Sequence, residues 1–514
     1  MTPVNALDLS WFGAKAVTLA PTGFDWSRVR VSIPMCFESG RRRRTSEPDV
    51  AHRKTRIRIA THTRRRIPAV RRYLALAFVV LLPASAHPDE IPERLSAYMD
   101  AASKGEKFSG SVLVAKEGVI LLANGYGLAN AEHEVPNTPE TKFRLGSITK
   151  MFTAAAVLIL QDQGKLKVED AIGKHLPDSP EAWKDVTIHH LLTHTSGIPS
   201  YTDDPAYGKL MTKPETVDSM IARFKDKPLE FEPGSKFHYD NSGYFLLGAI
   251  IEKVSGKSYE DFLKEAIFVP LGMEATGYDR PATVLPKRAT GYDRRAEGLV
   301  NAPYLDMNQP YAAGSLYSTV MELLKWDRAL KAGKPVSKEA MTAMLTPFKD
   351  NYAYGWTIGD YKGHTQVGHG GGINGFLTDF RRFPEDGVCV AVLCNVIPSD
   401  PGRVARDLAA IVFGETATPP RARVVAKVDP KIYDEYVGKY QLTPNFALTV
   451  TREGDRLITQ ATGQGKIEIF PESETAFFLK VVDAQIRFVK EDGKVTHVIL
   501  HQNGRDMKAK RVEE

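Results

Sequence analysis

Cysteine is scarce, with three residues in a chain of 514. That excludes a disulfide-stapled scaffold and any zinc site built from four thiolates. Long apolar runs are missing as well. The most concentrated one, at 73–82, is about half the ~20 residues that a membrane-spanning helix requires. There is no self-similar period of solenoid type and no H-E-x-x-H metal signature. What remains is a globular composition, 25% charged and 43% hydrophobic, in a chain long enough for two or more domains.

The net charge of +6 is unevenly placed. Residues 1–86 hold 16 Lys/Arg against 5 Asp/Glu, whereas the remaining residues hold 52 against 57. A nucleic-acid footprint is a basic face on a folded domain; here the excess lies in one N-terminal stretch. Its core, Arg41 to Arg44 and on through Arg71-Arg72, has no apolar periodicity and is expected to stay unfolded. Tyr73–Leu82, Pro83 and Ala84-Ser85-Ala86 follow, with the basic flank, apolar core and small-x-small site of an export signal. The expected location is periplasmic or extracellular. A basic tail on an uncleaved membrane anchor is the alternative, and a nucleic-acid-binding arm is a weaker one. Some seventy residues before such a signal are unexpected, and a translation start near Val70 is the hypothesis that would account for them.

The expected organisation is a leader at 1–86, a main folded domain at 87–415, a linker at 416–428 and a barrel at 429–514. Residues 108–115 and 119–125 alternate around Lys116-Glu117-Gly118 as a β-hairpin. Ser147 to Gln163 is apolar on every side and predicts a buried helix stopped by Gly164. Residues 165–345 carry mostly helical patterns. Phe376–Phe383 and Val388–Asn395 form a second hairpin, followed by an amphipathic helix at Arg403–Phe413. The fold class is therefore α/β, an antiparallel sheet flanked by helices with an all-α insertion. Cys389 and Cys394 share one strand on opposite faces, roughly 16 Å apart at ~3.3 Å per residue, too far to bond. After the Pro-rich linker, eight short strands from Gly438 to Val512 predict a small antiparallel barrel.

Three sites carry chemistry. Ser147-Ile-Thr-Lys150 opens the buried helix, and at i, i+3 the lysine can reach the serine hydroxyl. To act as its base the amine must be neutral, and burial lowers its affinity for a proton. A lone S-x-x-K is a weak signal whose plain reading is a solvated lysine beside an N-cap serine. This one is unique in the chain and begins its most hydrophobic helix. Tyr239-Asp240-Asn241 is expected in a loop, with Tyr239 and Asn241 pointing into one cleft. Tyr239 would relay protons, and Asn241 would bond Lys150 and a substrate carbonyl. The plain reading is a core tyrosine beside a turn asparagine. Gly368-His-Gly-Gly-Gly-Ile-Asn-Gly375 fits a dinucleotide fingerprint by letter, but a strand follows it where that fingerprint needs a helix. Glycines on or near an edge strand instead admit substrate close to the backbone.

Together with Leu191-Leu-Thr-His-Thr-Ser-Gly-Ile198, Phe231-Glu-Pro-Gly234 and Ala313-Gly-Ser-Leu-Tyr-Ser-Thr319, these motifs resemble the serine β-lactamase and penicillin-binding-protein group. The resemblance covers about residues 95–415 and is nearest the class C β-lactamase, D-alanyl-D-alanine carboxypeptidase and related esterase branch. It implies Ser147 as acyl-forming nucleophile, Lys150 and Tyr239 sharing general-base duty, and Asn241 and His369 as positioning residues. Gly371 and Gly372 line the site, with the N–H groups of Ser147 and Gly372 as oxyanion donors. Neither a metal nor an organic cofactor is implied. The expected partner is a small-molecule or peptide ester or amide, with no nucleic acid, and with membrane contact only through the export signal. A non-catalytic peptidoglycan-peptide sensor is the alternative outside enzymes. Gly370 stands where carboxylate-binding members often carry Thr or Ser, which favours an esterase or peptidase over a true β-lactamase or carboxypeptidase. The segment after Asp429 looks like the lipocalin-like domains attached to some of these hydrolases. His190 and His194 are spaced to share a helix face, but the resemblance assigns their phrase to packing.

Overall fold

The computed structural model describes residues 90–104, 108–295, 298–419, 425–443, 446–462, 466–479, 484–502 and 505–512. The arginine block, Cys36 and the expected export segment lie outside the described residues. No described helix is long and apolar enough to cross a membrane.

In chain order the first domain runs α1 (Ile91–Ser103), β1 (Gly110–Lys116), β2 (Val119–Tyr126), α2 (Thr149–Asp162), α3 (Ile188–Leu192), α4 (Asn241–Ser255) and α5 (Val320–Lys331). Then come β3 (Thr357–Tyr361), β4 (His364–Ile373), β5 (Phe376–Phe383), β6 (Val388–Cys394) and α6 (Pro401–Val412). The six strands make one antiparallel sheet in the order β3-β4-β5-β6-β1-β2. The two predicted hairpins thus meet through β6 and β1, which are far apart in sequence.

Each face of the sheet carries its own core. Leu113, Ala115, Cys389, Ala391 and Leu393 join the cluster built on α2 and α4. Val112, Val114, Val390, Val392 and Cys394 join the one under α1 and α6. β6 is buried at all seven positions, as expected of a strand covered on both faces. Cys389 and Cys394 are accordingly free thiols in different cores. Residues 149–160 of α2 are buried without interruption, so its unbroken apolar pattern is explained by helices and sheet on every side.

The long insertion is helical in bulk but not purely α. Short strands at Phe143–Arg144, Gly277–Tyr278 and Leu316–Ser318 form a small sheet, and Tyr292–Arg295 and Gly298–Asn301 form a hairpin. They were invisible to periodicity because two to four residues cannot display a period, and several pair with distant partners. The C-terminal strands β7 (Gly438–Thr443), β8 (Phe446–Glu453), β9 (Arg456–Ala461), β10 (Lys466–Pro471), β11 (Ala476–Leu479), β12 (Ala484–Glu491), β13 (Lys494–Gln502) and β14 (Arg505–Val512) close into a barrel. β7 pairs with β14 to seal it, which removes both sheet edges. Tyr436, Tyr440, Phe477 and Phe488 are buried together inside it.

Candidate active site

Ser147 does not sit on α2 itself but on a 3-10 turn, Gly146–Ile148, that feeds it. The turn lies hard against β4. A Cβ on Gly146, whose φ is +54°, would stand 2.8 Å from the Gly372 nitrogen. A Cβ on Gly371 would fall 2.0 Å from the Leu145 carbonyl oxygen, which also accepts from Thr378 Oγ1 at 2.8 Å. Glycine is therefore required at both positions for the backbones to approach. β3 pairs with β4 only as far as Gly368. The rest of the glycine run has a ladder partner only in β5, which leaves its other edge to the Ser147 turn.

Lys150, the second residue of α2 and one turn on from Ser147, has no solvent exposure. Its Nζ lies 3.1 Å from Ser147 Oγ, 2.8 Å from Asn241 Oδ1 and 2.9 Å from the Ala313 carbonyl oxygen. The last two are acceptors only. An uncharged amine donates its two N–H groups to them and turns its lone pair toward the serine hydroxyl. Burial brings the Lys150 pKa down to about 7, with the Asp240 carboxyl opposing the shift. The amine thus exists unprotonated near neutral pH.

Asn241 is not in a loop, as the sequence suggested, but is the first residue of α4. Asp240 is the N-cap and accepts from Gly243 N–H at 3.0 Å; an Asp before an apolar run was the available signal. The Asn241 amide is oriented from both ends. Its oxygen accepts from Lys150, while Nδ2 donates to Thr202 Oγ1 at 3.1 Å and retains a second hydrogen. Tyr239, on the extended segment before the cap, holds its ring 4.9 Å from Lys150 Nζ, and the Ser147 side chain near its hydroxyl partly offsets the effect of burial on its pKa. Burial pushes that phenol above its ordinary pKa, so it stays protonated and suits proton relay better than proton abstraction.

His369 forms part of the wall. Its Nδ1 donates to the Gly370 carbonyl at 2.5 Å, so Nε2 is the acceptor for the Tyr352 hydroxyl at 2.9 Å. Burial first, and Lys150 second, lower its pKa to about 4. The ring is neutral and both nitrogens are occupied within the protein. Any positioning by His369 acts through the shape of the wall, not through a hydrogen bond to substrate. Tyr352, in a segment that carried no motif signal, was missed by the sequence reading. Gly370 and Gly372 are exposed, and no neighbour lies within 3.4 Å of a Cβ placed on Gly370.

His190 and His194 do not share a helix face. α3 ends at Leu192, and His194 takes a left-handed φ of +56°. His190 serves the N-terminal capping box with Thr187. Among the described residues no group of three or more His, Cys, Asp or Glu is arranged to hold a metal.

The Beta-lactamase family matches residues 94–413, and a domain of unknown function, DUF3471, matches 422–511. Penicillin-binding protein 4* of Bacillus subtilis is 32% identical over 456 residues, covering 82% of this chain and 99% of that protein. The octameric penicillin-binding protein homologue from Pyrococcus abyssi is 30% identical with a TM-score of 0.58, over 81% of this chain and 99% of its own. The D-amino acid amidase from Ochrobactrum anthropi SV3 shares the fold at 23% identity and a TM-score of 0.56, over 63% and 99%. With its serine, lysine and tyrosine drawn together beside a glycine-lined strand, the chain belongs to the Beta-lactamase family of serine hydrolases, related to the penicillin-binding proteins.

Proposed function

We propose that this chain is an exported serine hydrolase that cleaves a carboxylate-free ester or amide through an acyl-enzyme on Ser147, and that it is an esterase or peptidase and not a true β-lactamase. The observation that carries the reading is the setting of Lys150 Nζ, buried among two pure acceptors and the Ser147 hydroxyl. The amine takes the serine proton as the oxygen attacks the carbonyl carbon. The N–H groups of Ser147 and Gly372 receive the developing oxyanion. Tyr239 passes the proton to the leaving group, whose bond to the acyl carbon breaks. Water then attacks the ester on Ser147, and Lys150 and Tyr239 return the proton to the serine.

The leaving-group side supports the choice of substrate. A carboxylate there would meet Gly370, which has no side chain, and the neutral ring of His369. Binding an unpaired carboxylate in such a site is costly. A panel of p-nitrophenyl esters, D-amino-acid amides and a chromogenic cephalosporin tests the reading. Turnover of esters or amides with little on the cephalosporin is expected. Preference for the cephalosporin, or for a peptide ending in free D-alanine, would refute it.

A further inference from the structure

Tyr239 is the only member of the constellation on irregular backbone, the segment between Phe237 and the Asp240 cap. A proton relay on such a segment must be held by something outside it. The two main-chain N–H groups that flank Tyr239 both end on one residue. His238 N–H donates to the His194 carbonyl at 2.9 Å, and Asp240 N–H donates to His194 Nδ1 at 3.0 Å. The imidazole also lies against the tyrosine ring, with centroids 4.3 Å apart and planes tilted by 38°.

We infer that His194 is the positioning residue for Tyr239, a clamp that fixes the relay hydroxyl over Ser147 by gripping the backbone on both sides of it. This rests on the hydrolase reading above. The left-handed φ of His194 turns its carbonyl and its ring toward the same segment, a conformation that costs a non-glycine residue energy. Its Nε2–H is buried without a hydrogen-bond partner, with the rings of Tyr239, Tyr244 and Tyr352 packed around the imidazole. A leucine in this pocket would avoid that unpaired group. What the imidazole supplies in return is the acceptor at Nδ1. Burial holds its pKa well below the ordinary value, so Nδ1 remains an acceptor across the working pH range. Tyr352 extends the clamp: its ring packs edge-on against His194 at 4.6 Å while its hydroxyl bonds His369. The wall of the third motif and the relay of the second are thereby registered to one another.

The test uses two substitutions that differ in where they place an acceptor. His194→Asn keeps an oxygen near the Nδ1 position and tolerates the left-handed backbone. His194→Gln carries its oxygen one bond farther and leaves Asp240 N–H unpaired. With p-nitrophenyl butyrate, H194Q should lower kcat by about tenfold or more with KM within about twofold, while H194N keeps most of kcat. Placed on Tyr239→Phe, neither substitution should lower kcat further, because the group being positioned is gone. Equal losses in H194N and H194Q, or an undiminished loss in the Tyr239→Phe background, would overturn the clamp and leave a general packing role. A crystal structure of H194Q reads the same question without turnover: a Tyr239 hydroxyl displaced from Ser147 supports the clamp, and an unmoved one overturns it. Absence of a Ser147 acyl-enzyme in the wild type would refute the hydrolase reading instead, so the two failures are distinguishable.

Discussion

Lys150 Nζ stands 3.1 Å from Ser147 Oγ with no route to solvent, while the serine it faces is half-exposed. The base is dry and the nucleophile is accessible. That asymmetry keeps the amine deprotonated without hiding the atom that must reach substrate.

The pH dependence follows from it. Lys150 titrates at about 7, and only its neutral form accepts the serine proton. Values of kcat/KM should therefore fall by about tenfold per unit as pH drops below 7, and level off above it. The Asp240 carboxyl raises the Lys150 pKa. Burial raises the Asp240 pKa to about 7 as well, so the carboxyl carries only part of its charge there; Asp240→Asn preserves an N-cap acceptor and removes that charge, so the acid limb should move to lower pH. A pH–rate profile of both proteins checks this; an unmoved or upward-moved limb contradicts it.

Asn241 holds the amine through Oδ1. Asn241→Asp puts a negative charge at that contact and favours the ammonium. The acid limb should then shift upward, and kcat at pH 7 should drop by about tenfold for each unit of that shift. Steady-state rates at pH 7 and pH 9 give the comparison, with the deficit smaller at pH 9.

Gly370 and Gly371 should behave oppositely despite being neighbours. A Cβ on Gly371 meets the Leu145 carbonyl oxygen at 2.0 Å, so Gly371→Ala forces β4 away from the Ser147 turn. Loss of one oxyanion donor costs about 10²–10³ in kcat, and that range is expected. A Cβ on Gly370 has nothing nearer than 3.6 Å. Gly370→Thr should therefore fold as well as wild type and add the hydroxyl a carboxylate lacks. Its rate on a chromogenic cephalosporin should rise by about tenfold. Melting temperatures beside the two rate assays separate folding from function.

Much of this is legible in the amino-acid sequence. The barrel strands are bounded by turns and alternate along each strand, so their limits emerge within a few residues of those observed. The unbroken apolar run of α2 predicts burial of Lys150. What stayed hidden depends on distant pairing. The joining of β6 to β1 leaves no local pattern, nor does the short sheet around Phe143–Arg144. The grip of His194 on the Tyr239 segment is a contact across 45 residues, and a histidine in a Thr-His-Thr phrase announces packing or metal before it announces an acceptor. Tyr352 gave no signal because an aromatic between an asparagine and an alanine is ordinary until its hydroxyl meets His369.

The most direct test of the central claim is intact-protein mass spectrometry after brief exposure to a fluorophosphonate probe, followed by peptide mapping. Wild type should gain a single adduct on Ser147, Lys150→Ala should label at least about 10²-fold more slowly, and Ser147→Ala should stay unmodified. A wild-type protein that remains unlabelled, or a Ser147→Ala protein that labels equally well, would contradict the account.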